Sequence, residues 1–196
     1  MTDTTHEWAR GTDLAHLAEI REQRGILAHG TLHLVHEVLA YAADEAVGRP
    51  AARCAVTRHS DGSISVADDG RGTDTRVDDD GHVHRKPVMS TKDLRFYDRP
   101  EAETLPDGRP RRGMSVVAAL SEWLVHVNRR QNGSWTQRYE HGVPVIDLVR
   151  IADDGTRGTT VHFLPDDPVG ACDLSELAAA WPLISIGVVD LRPFNV

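Results

Sequence analysis

The sequence has few cysteines and no long apolar run, and each shortage excludes a class of protein. Cys54 and Cys172 are the two cysteines in 196 residues, which is too few for a disulfide framework or a cysteine-based zinc site. No apolar run reaches the ~18 residues that a transmembrane helix needs, and residues 1–10 lack the basic-then-apolar pattern of a signal peptide. We therefore expect a cytoplasmic protein without a membrane partner.

Acidic residues outnumber basic ones, 30 to 22. The formal net charge is −8 and the pI is near 5.7, so the phosphates of a nucleic acid would be repelled by the chain as a whole. We expect no direct binding of nucleic acid, although residues 108–113, GRPRRG, form one local basic stretch.

Histidines are plentiful but poorly spaced for a metal. His33 and His36 lie three residues apart instead of four, and His82 and His84 lie in a Gly- and Asp-rich stretch with no third ligand nearby. We predict no metal site, and histidines that are solvated or cap helices instead.

Periodicity predicts an α+β chain with an antiparallel or mixed sheet. Helical spacing covers residues 12–24, 31–47, 113–124 and 174–184. Strand-type alternation covers residues 52–60, 63–69, 159–166 and 185–193, together with a hairpin that turns at Asn132 and Gly133. Residues 74–113 are predicted to be a long loop, which inside a compact domain is usually functional.

Two stretches carry candidate chemistry. On the helix over 31–47, the side chains of Glu37, Tyr41, Asp44 and Glu45 share a stripe opposite the apolar face. That stripe is either a solvated face or a set of carboxylates facing a cleft. The stretch SISVADDGRGTD, residues 63–74, is either a polar turn or part of a nucleotide site.

Taken together, the two stretches resemble a known family. Residues 33–48 resemble the first motif of the ATPase domain found in the B subunits of DNA gyrase, and residues 61–74 resemble its second. The resemblance continues in the same order through residues 113–124, 137–144 and 157–166. The chain is identified as a member of the GHKL superfamily, whose Bergerat fold is a two-layer α/β sandwich that binds ATP between helices and a mixed, mostly antiparallel sheet.

The resemblance implies a role for each matched pocket residue. Glu37 matches the general base that activates water for attack on the γ-phosphate. Asp68 matches the aspartate that accepts a hydrogen bond from the adenine amino group. Gly70 and Gly72 match glycines that let the backbone approach the base, and Thr159 matches a threonine that helps to hold the aspartate and a water.

Other matched residues are structural or altered. Glu45 and Arg71 match a salt-bridged pair beside the pocket, which we expect to be structural. Tyr41 replaces the family's Mg²⁺-ligating asparagine; a phenol is a poor Mg²⁺ ligand, and its ring would occupy space that the phosphates need. Residues 72–75, GTDT, stand where the family usually has an isoleucine–proline pair in the pocket wall.

The glycine-rich lid of the family is also altered. In the family its backbone N–H groups wrap the phosphates, whereas Arg111 and Arg112 here precede Gly113 and follow Pro110. Proline removes a donor and arginine does not adopt glycine's conformations easily. The alternative is that the two arginines contact phosphate directly.

We expect one GHKL domain over residues 1–196, with a divergent N-terminal segment (1–30), a divergent lid loop (74–113), and neither the transducer nor the DNA-cleavage regions of a gyrase subunit. The leading hypothesis is an adenine-nucleotide-binding domain with impaired Mg-ATP hydrolysis and a regulatory or decoy role. The alternatives are an active ATPase that uses the lid arginines and a scaffold reused for another small molecule. The expected partners are that ligand and a gyrase or topoisomerase subunit.

Overall fold

The computed structural model of the chain describes residues 11–27, 30–46, 52–73, 75–81, 83–97, 103–166 and 172–191. The helices are α1 (Leu14–Glu22), α2 (Arg24–Leu27), α3 (Thr31–Ala46), α4 (Leu94–Tyr97), α5 (Met114–Ala119) and α6 (Leu177–Ala180). The strands are β1 (Arg53–Arg58), β2 (Ile64–Asp68), β3 (Thr75–Val77), β4 (Val83–Arg85), β5 (Ser121–Arg130), β6 (Gly133–Glu140), β7 (Val143–Pro144), β8 (Val149–Arg150), β9 (Gly158–Pro165) and β10 (Ser185–Asp190).

The main sheet is mixed and mostly antiparallel. Its order is β10-β1-β2-β9-β5-β6-β7, and β8 also pairs with β6. The β1–β10 pair is parallel, whereas the other pairs of described strands in this sheet are antiparallel. Helix α3 packs against α5, β2 and β9, which gives two layers. This architecture confirms the predicted α+β fold class, the two-layer GHKL sandwich.

The core lies between the helical layer and one face of the sheet. Alternate residues of the central strands face it, because successive side chains of a strand point to opposite faces. Leucine, valine and phenylalanine side chains from α3, β2, β5 and β9 are almost fully buried there: Leu34, Val35, Val38, Leu39, Val66, Leu124, Val161 and Phe163. The contacts hold α3 in place against the sheet.

Four details differ from the sequence-based expectation. The segment 113–124 is not one helix, because α5 ends at Ala119 and β5 begins at Ser121. The segment 174–184 contains a helix of four residues instead of eleven. The connector 25–31 contains the short helix α2. The described part of the 74–113 loop contains a two-stranded hairpin, β3–β4, and the helical turn α4.

None of the helices within the described ranges has the length and hydrophobicity that crossing a membrane requires. The predicted capping or solvated histidine at position 82 lies outside the described residues.

Candidate functional site

The end of β2 forms one corner of the site around the carboxylate of Asp68. Its Oδ1 accepts the backbone N–H of Gly70 at 2.7 Å. Its Oδ2 accepts the backbone N–H of Thr159 at 3.2 Å and also the Thr159 hydroxyl. Burial raises the pKa of Asp68, and these three donors oppose that shift. The structure therefore brings together Asp68, Gly70 and Thr159, three of the four residues that the resemblance assigns to the adenine end of the pocket.

Two glycines allow the backbone to pack closely at this corner. A Cβ on Gly70 would lie 2.7 Å from Asp68 Oδ1, and a Cβ on Gly158 would lie 2.0 Å from the backbone oxygen of Asp68. Gly158 also has φ +108°, a conformation that residues with a side chain rarely adopt. The Asp68 corner therefore depends on glycine on both of its sides.

The turn that follows β2 is fixed to β5 by a reciprocal pair of hydrogen bonds. The backbone N–H of Thr73 donates to Asn128 Oδ1 at 2.8 Å, and Asn128 Nδ2 donates to the Thr73 oxygen at 3.0 Å. Gly72 has φ +77°, and a Cβ there would lie 2.7 Å from Asn128 Oδ1. Asn128 was not among the predicted site residues; the structure places its side chain at a fully buried position of β5.

The last turn of α3 is joined to the same turn. Arg71 Nε donates to Glu45 Oε2 at 2.7 Å, and the Arg71 backbone N–H donates to the Glu45 oxygen at 3.3 Å. The Arg71 side chain is exposed, so the charge pair itself adds little free energy. The arrangement positions α3 relative to the Asp68 corner.

Glu37 lies at the other end of the site and is fully buried, with 0% of its surface exposed. Its Oε1 accepts the backbone N–H of Arg112 at 2.6 Å, and its Oε2 accepts the backbone N–H of Gly113 at 2.8 Å. Burial raises the pKa of Glu37 to about 7, while these two N–H groups and the nearby Arg111 act in the opposite direction. Both carboxylate oxygens are therefore engaged by the chain itself.

A histidine and a second carboxylate extend this group. His33 Nε2 lies 3.6 Å from Glu37 Oε1, and His33 Nδ1 lies 2.6 Å from Asp107 Oδ2. The prediction that His33 and His36 are solvated or cap helices is wrong, because both are buried. His36 Nδ1 accepts the indole N–H of Trp181 at 3.0 Å. His33 and His36 therefore pack against two different segments and do not point to one shared ligand.

Residues 103–113, here called the lid segment, cover the carboxylates of α3. Arg111 is 4% exposed, and its guanidinium donates to Asp44 at 2.7 Å and to Glu103 at 2.8 Å. Arg112 donates from Nη1 to the Phe96 oxygen at 2.9 Å. In this arrangement the two guanidinium groups are occupied by protein groups, and their predicted contact with phosphate stays a prediction.

Tyr41 lies between the two ends of the site. It is 7% exposed, its hydroxyl forms a hydrogen bond with the hydroxyl of Thr73, and its ring meets the ring of His126 edge-on, with centroids 6.2 Å apart. The stripe of α3 that carries Glu37 and Tyr41 is therefore not a solvated face. It lies under the lid segment and the turn after β2.

The residues of this site do not fit a magnesium ion. Mg²⁺ requires compact oxygen ligands in near-octahedral geometry, and the position one turn after Glu37 presents the Tyr41 phenol, which is bonded to Thr73. Across the part of the chain that the structure describes, no group of three or more His, Cys, Asp or Glu side chains is placed to share a metal.

The fold and the Asp68 corner define the class: a GHKL domain, the type of fold found in topoisomerase ATP-binding domains. The structure superimposes on a topoisomerase IV ATP-binding domain of Francisella tularensis, solved with a small-molecule inhibitor, with a TM-score of 0.68 and 22% identity. The match covers 89% of this chain and 90% of that one.

Sequence comparison identifies the branch of that class. The chain is 35% identical to the B subunit of DNA gyrase from Thermotoga maritima over 138 residues, which are 70% of this chain and 22% of that protein. It is 34% identical to the B subunit of DNA topoisomerase 4 from Bacillus subtilis over 140 residues, which are 71% of this chain and 21% of that protein. No model of a known protein family matches the chain.

The chain therefore belongs to the GHKL superfamily and is homologous to the B subunits of gyrase and topoisomerase IV. It spans about a fifth of the length of these curated relatives.

Proposed function

We propose that this domain binds an adenine nucleotide or nucleoside at the Asp68 corner and does not hydrolyse ATP in the arrangement described. The observation that carries this proposal is the pair of hydrogen bonds from the backbone N–H groups of Arg112 and Gly113 to the carboxylate of Glu37. The lid segment, whose counterpart in the family covers the nucleotide, here donates hydrogen bonds to Glu37, which matches the family's general base.

Recognition of adenine is supported by the chemistry of the Asp68 corner. A carboxylate oxygen can accept more than one hydrogen bond, and Oδ1 of Asp68 accepts one from the N–H of Gly70. An exocyclic amino group is a suitable second donor. Thr159 holds the other oxygen, so the carboxylate is oriented before a ligand arrives. A purine without this amino group would leave a buried acceptor less well satisfied, which costs binding free energy.

Lack of hydrolysis is supported by the state of Glu37. A general base must lie within hydrogen-bond reach of the water that it deprotonates. Glu37 has no exposed surface, and both of its oxygens already accept backbone N–H groups. Phosphoryl transfer also depends on neutralising phosphate charge. Arg111 is paired with Asp44 and Glu103, so the described arrangement does not favour the alternative of an active ATPase that uses the lid arginines.

The role of such a domain would be regulatory: a ligand-binding module or a decoy for a subunit of a type II topoisomerase. Support comes from the homology to the B subunits of gyrase and topoisomerase IV. A supercoiling assay with the host gyrase, with and without a molar excess of this protein, tests the role. Unchanged gyrase activity and no co-purification with either gyrase subunit would contradict it.

Calorimetric titration with adenosine and with a non-hydrolysable ATP analogue tests the binding proposal. We expect saturable binding of at least one of them, weakened at least tenfold by Asp68→Asn. The matched control is Asp69→Asn, which changes the neighbouring carboxylate, whose Oδ1 accepts the backbone N–H of Arg53 at 2.9 Å. Absence of binding by either compound, or equal loss in both variants, would overturn the proposal.

A further inference from the structure

We propose that Tyr41 is a specificity-determining residue that restricts this site to adenine ligands without a phosphate chain, namely the free base or the nucleoside. This inference rests on the proposed function, because it assumes that the purine lies at the Asp68 corner. It goes further by assigning the ligand class and the residue that selects it.

The position of Tyr41 follows from the contacts of α3. Glu37, Tyr41 and Glu45 are each four residues apart, so they lie on one face at intervals of about 6 Å along the axis. Glu37 contacts the N–H groups of the lid segment, and Glu45 contacts the turn after β2. Tyr41 is between them and reaches Thr73 of that turn. The Tyr41–Thr73 bridge thus crosses the space between the purine corner and Glu37.

The bridge is held from both sides. Thr73 is fixed to β5, because its backbone N–H and oxygen both bond to the side chain of Asn128. Asn128 itself is fully buried, as is His126, whose ring meets the Tyr41 ring. Rotating Tyr41 out of the site would separate two buried hydroxyl groups, and a buried polar group without a partner is costly. Tyr41 therefore acts as a fixed wall.

The charges beyond the bridge disfavour phosphate as well. On that side lie the carboxylates of Glu37 and Asp107, and the cationic Arg111 is already paired with Asp44 and Glu103. A triphosphate that reached this region would meet carboxylates at close range, in surroundings where burial weakens screening. Adenine and adenosine lack the phosphate chain and carry no charge, so they avoid both the steric and the electrostatic penalty.

The test compares adenine, adenosine, AMP, ADP and ATP in calorimetric titrations of the wild-type protein. We expect adenosine to bind at least tenfold more tightly than ATP, with affinity falling as each phosphate is added. ATP binding at least as tight as adenosine binding would overturn the inference while leaving the proposed function intact. Failure of all five compounds to bind would instead overturn the proposed function on which the inference rests. The wild-type series needs no variant and so does not depend on the folding of one.

Variants then assign the selectivity to Tyr41. Tyr41→Ala removes the wall, and we expect it to raise the affinity for ATP relative to adenosine at least tenfold. Tyr41→Phe keeps the ring but loses the bond to Thr73, so its selectivity should lie between those of Tyr41→Ala and wild type. The matched control is Tyr139→Phe, which removes a buried hydroxyl that bonds to Gln137 on β6. Equal selectivity in all four proteins would contradict the assignment.

Discussion

The backbone nitrogen of Gly113 lies 2.8 Å from Oε2 of Glu37, so the residue before α5 is joined directly to the residue expected to act as the general base. Arg112 bonds to the second oxygen. The two contacts tie the lid segment to the middle of α3, and Asp107 and Arg111 tie it to His33 and Asp44 on either side. The lid segment is therefore held over α3 by contacts within the chain.

The raised pKa of Glu37 predicts a pH dependence of stability. An acid whose pKa is about 7 in the folded state and 4.5 when unfolded binds its proton more tightly in the folded state. The contribution of the Glu37 carboxyl group to the free energy of unfolding is up to about 3 kcal/mol. This contribution is fully present below pH 4.5, falls as the pH rises to 7, and is lost above pH 7. Denaturant unfolding of wild type and Glu37→Gln across pH 4.5–8 measures it.

As the pH rises, the wild type should lose free energy of unfolding relative to Glu37→Gln, because glutamine does not titrate. The subtraction removes the contribution of groups common to both proteins. His33, Asp107 and Arg111 face Glu37 and are present in both. A difference that stays constant over the whole range would contradict the raised pKa.

Close packing at the Asp68 corner predicts an effect of adding one methyl group. Gly158→Ala would place its Cβ 2.0 Å from the Asp68 backbone oxygen, so we expect the free energy of unfolding to fall by more than about 2 kcal/mol. Gly155→Ala is the matched control, because Gly155 also has a positive φ but no atom lies within 4 Å of its Cβ position. Thermal unfolding of both variants compares them, and equal losses would contradict the close contact.

The ion pairs of Arg111 predict an effect on the mobility of the lid segment. Arg111→Gln removes the bonds to Asp44 and Glu103, so hydrogen exchange at the N–H groups of Arg112 and Gly113 should accelerate at least tenfold. The control, Arg109→Gln, removes a guanidinium that donates to the Ile26 oxygen at 3.3 Å and should leave that exchange unchanged. Unchanged exchange in Arg111→Gln would show that Arg111 does not hold the segment.

Local sequence patterns predicted most of the fold. Helix α3 and strands β1 and β2 have clear periodicity, and the structure has them within a few residues of the predicted bounds. The switch from α5 to β5 was missed, because the apolar positions Leu120 and Leu124 fit a helical period, whereas the register of β5 is set by pairing with β6 and β9. Pairing between distant segments is not visible in a local pattern.

The candidate site was only partly predictable for the same reason. Resemblance to ordered motifs predicted Glu37, Asp68 and Thr159 as site residues. The contacts that distinguish this chain join residues far apart in sequence: His33 with Asp107, 74 residues away, and Tyr41 with Thr73, 32 residues away. No local spacing predicts that a loop will turn its backbone N–H groups towards a carboxylate.

Phosphate release from ATP, measured with Mg²⁺ present for wild type and for Glu37→Gln, tests the central claim most directly. Because the lid segment occupies both oxygens of Glu37, we expect the two proteins to release phosphate at the same background rate. Turnover by the wild type that Glu37→Gln abolishes would contradict the account, since it would show that Glu37 is released from Arg112 and Gly113 and activates water.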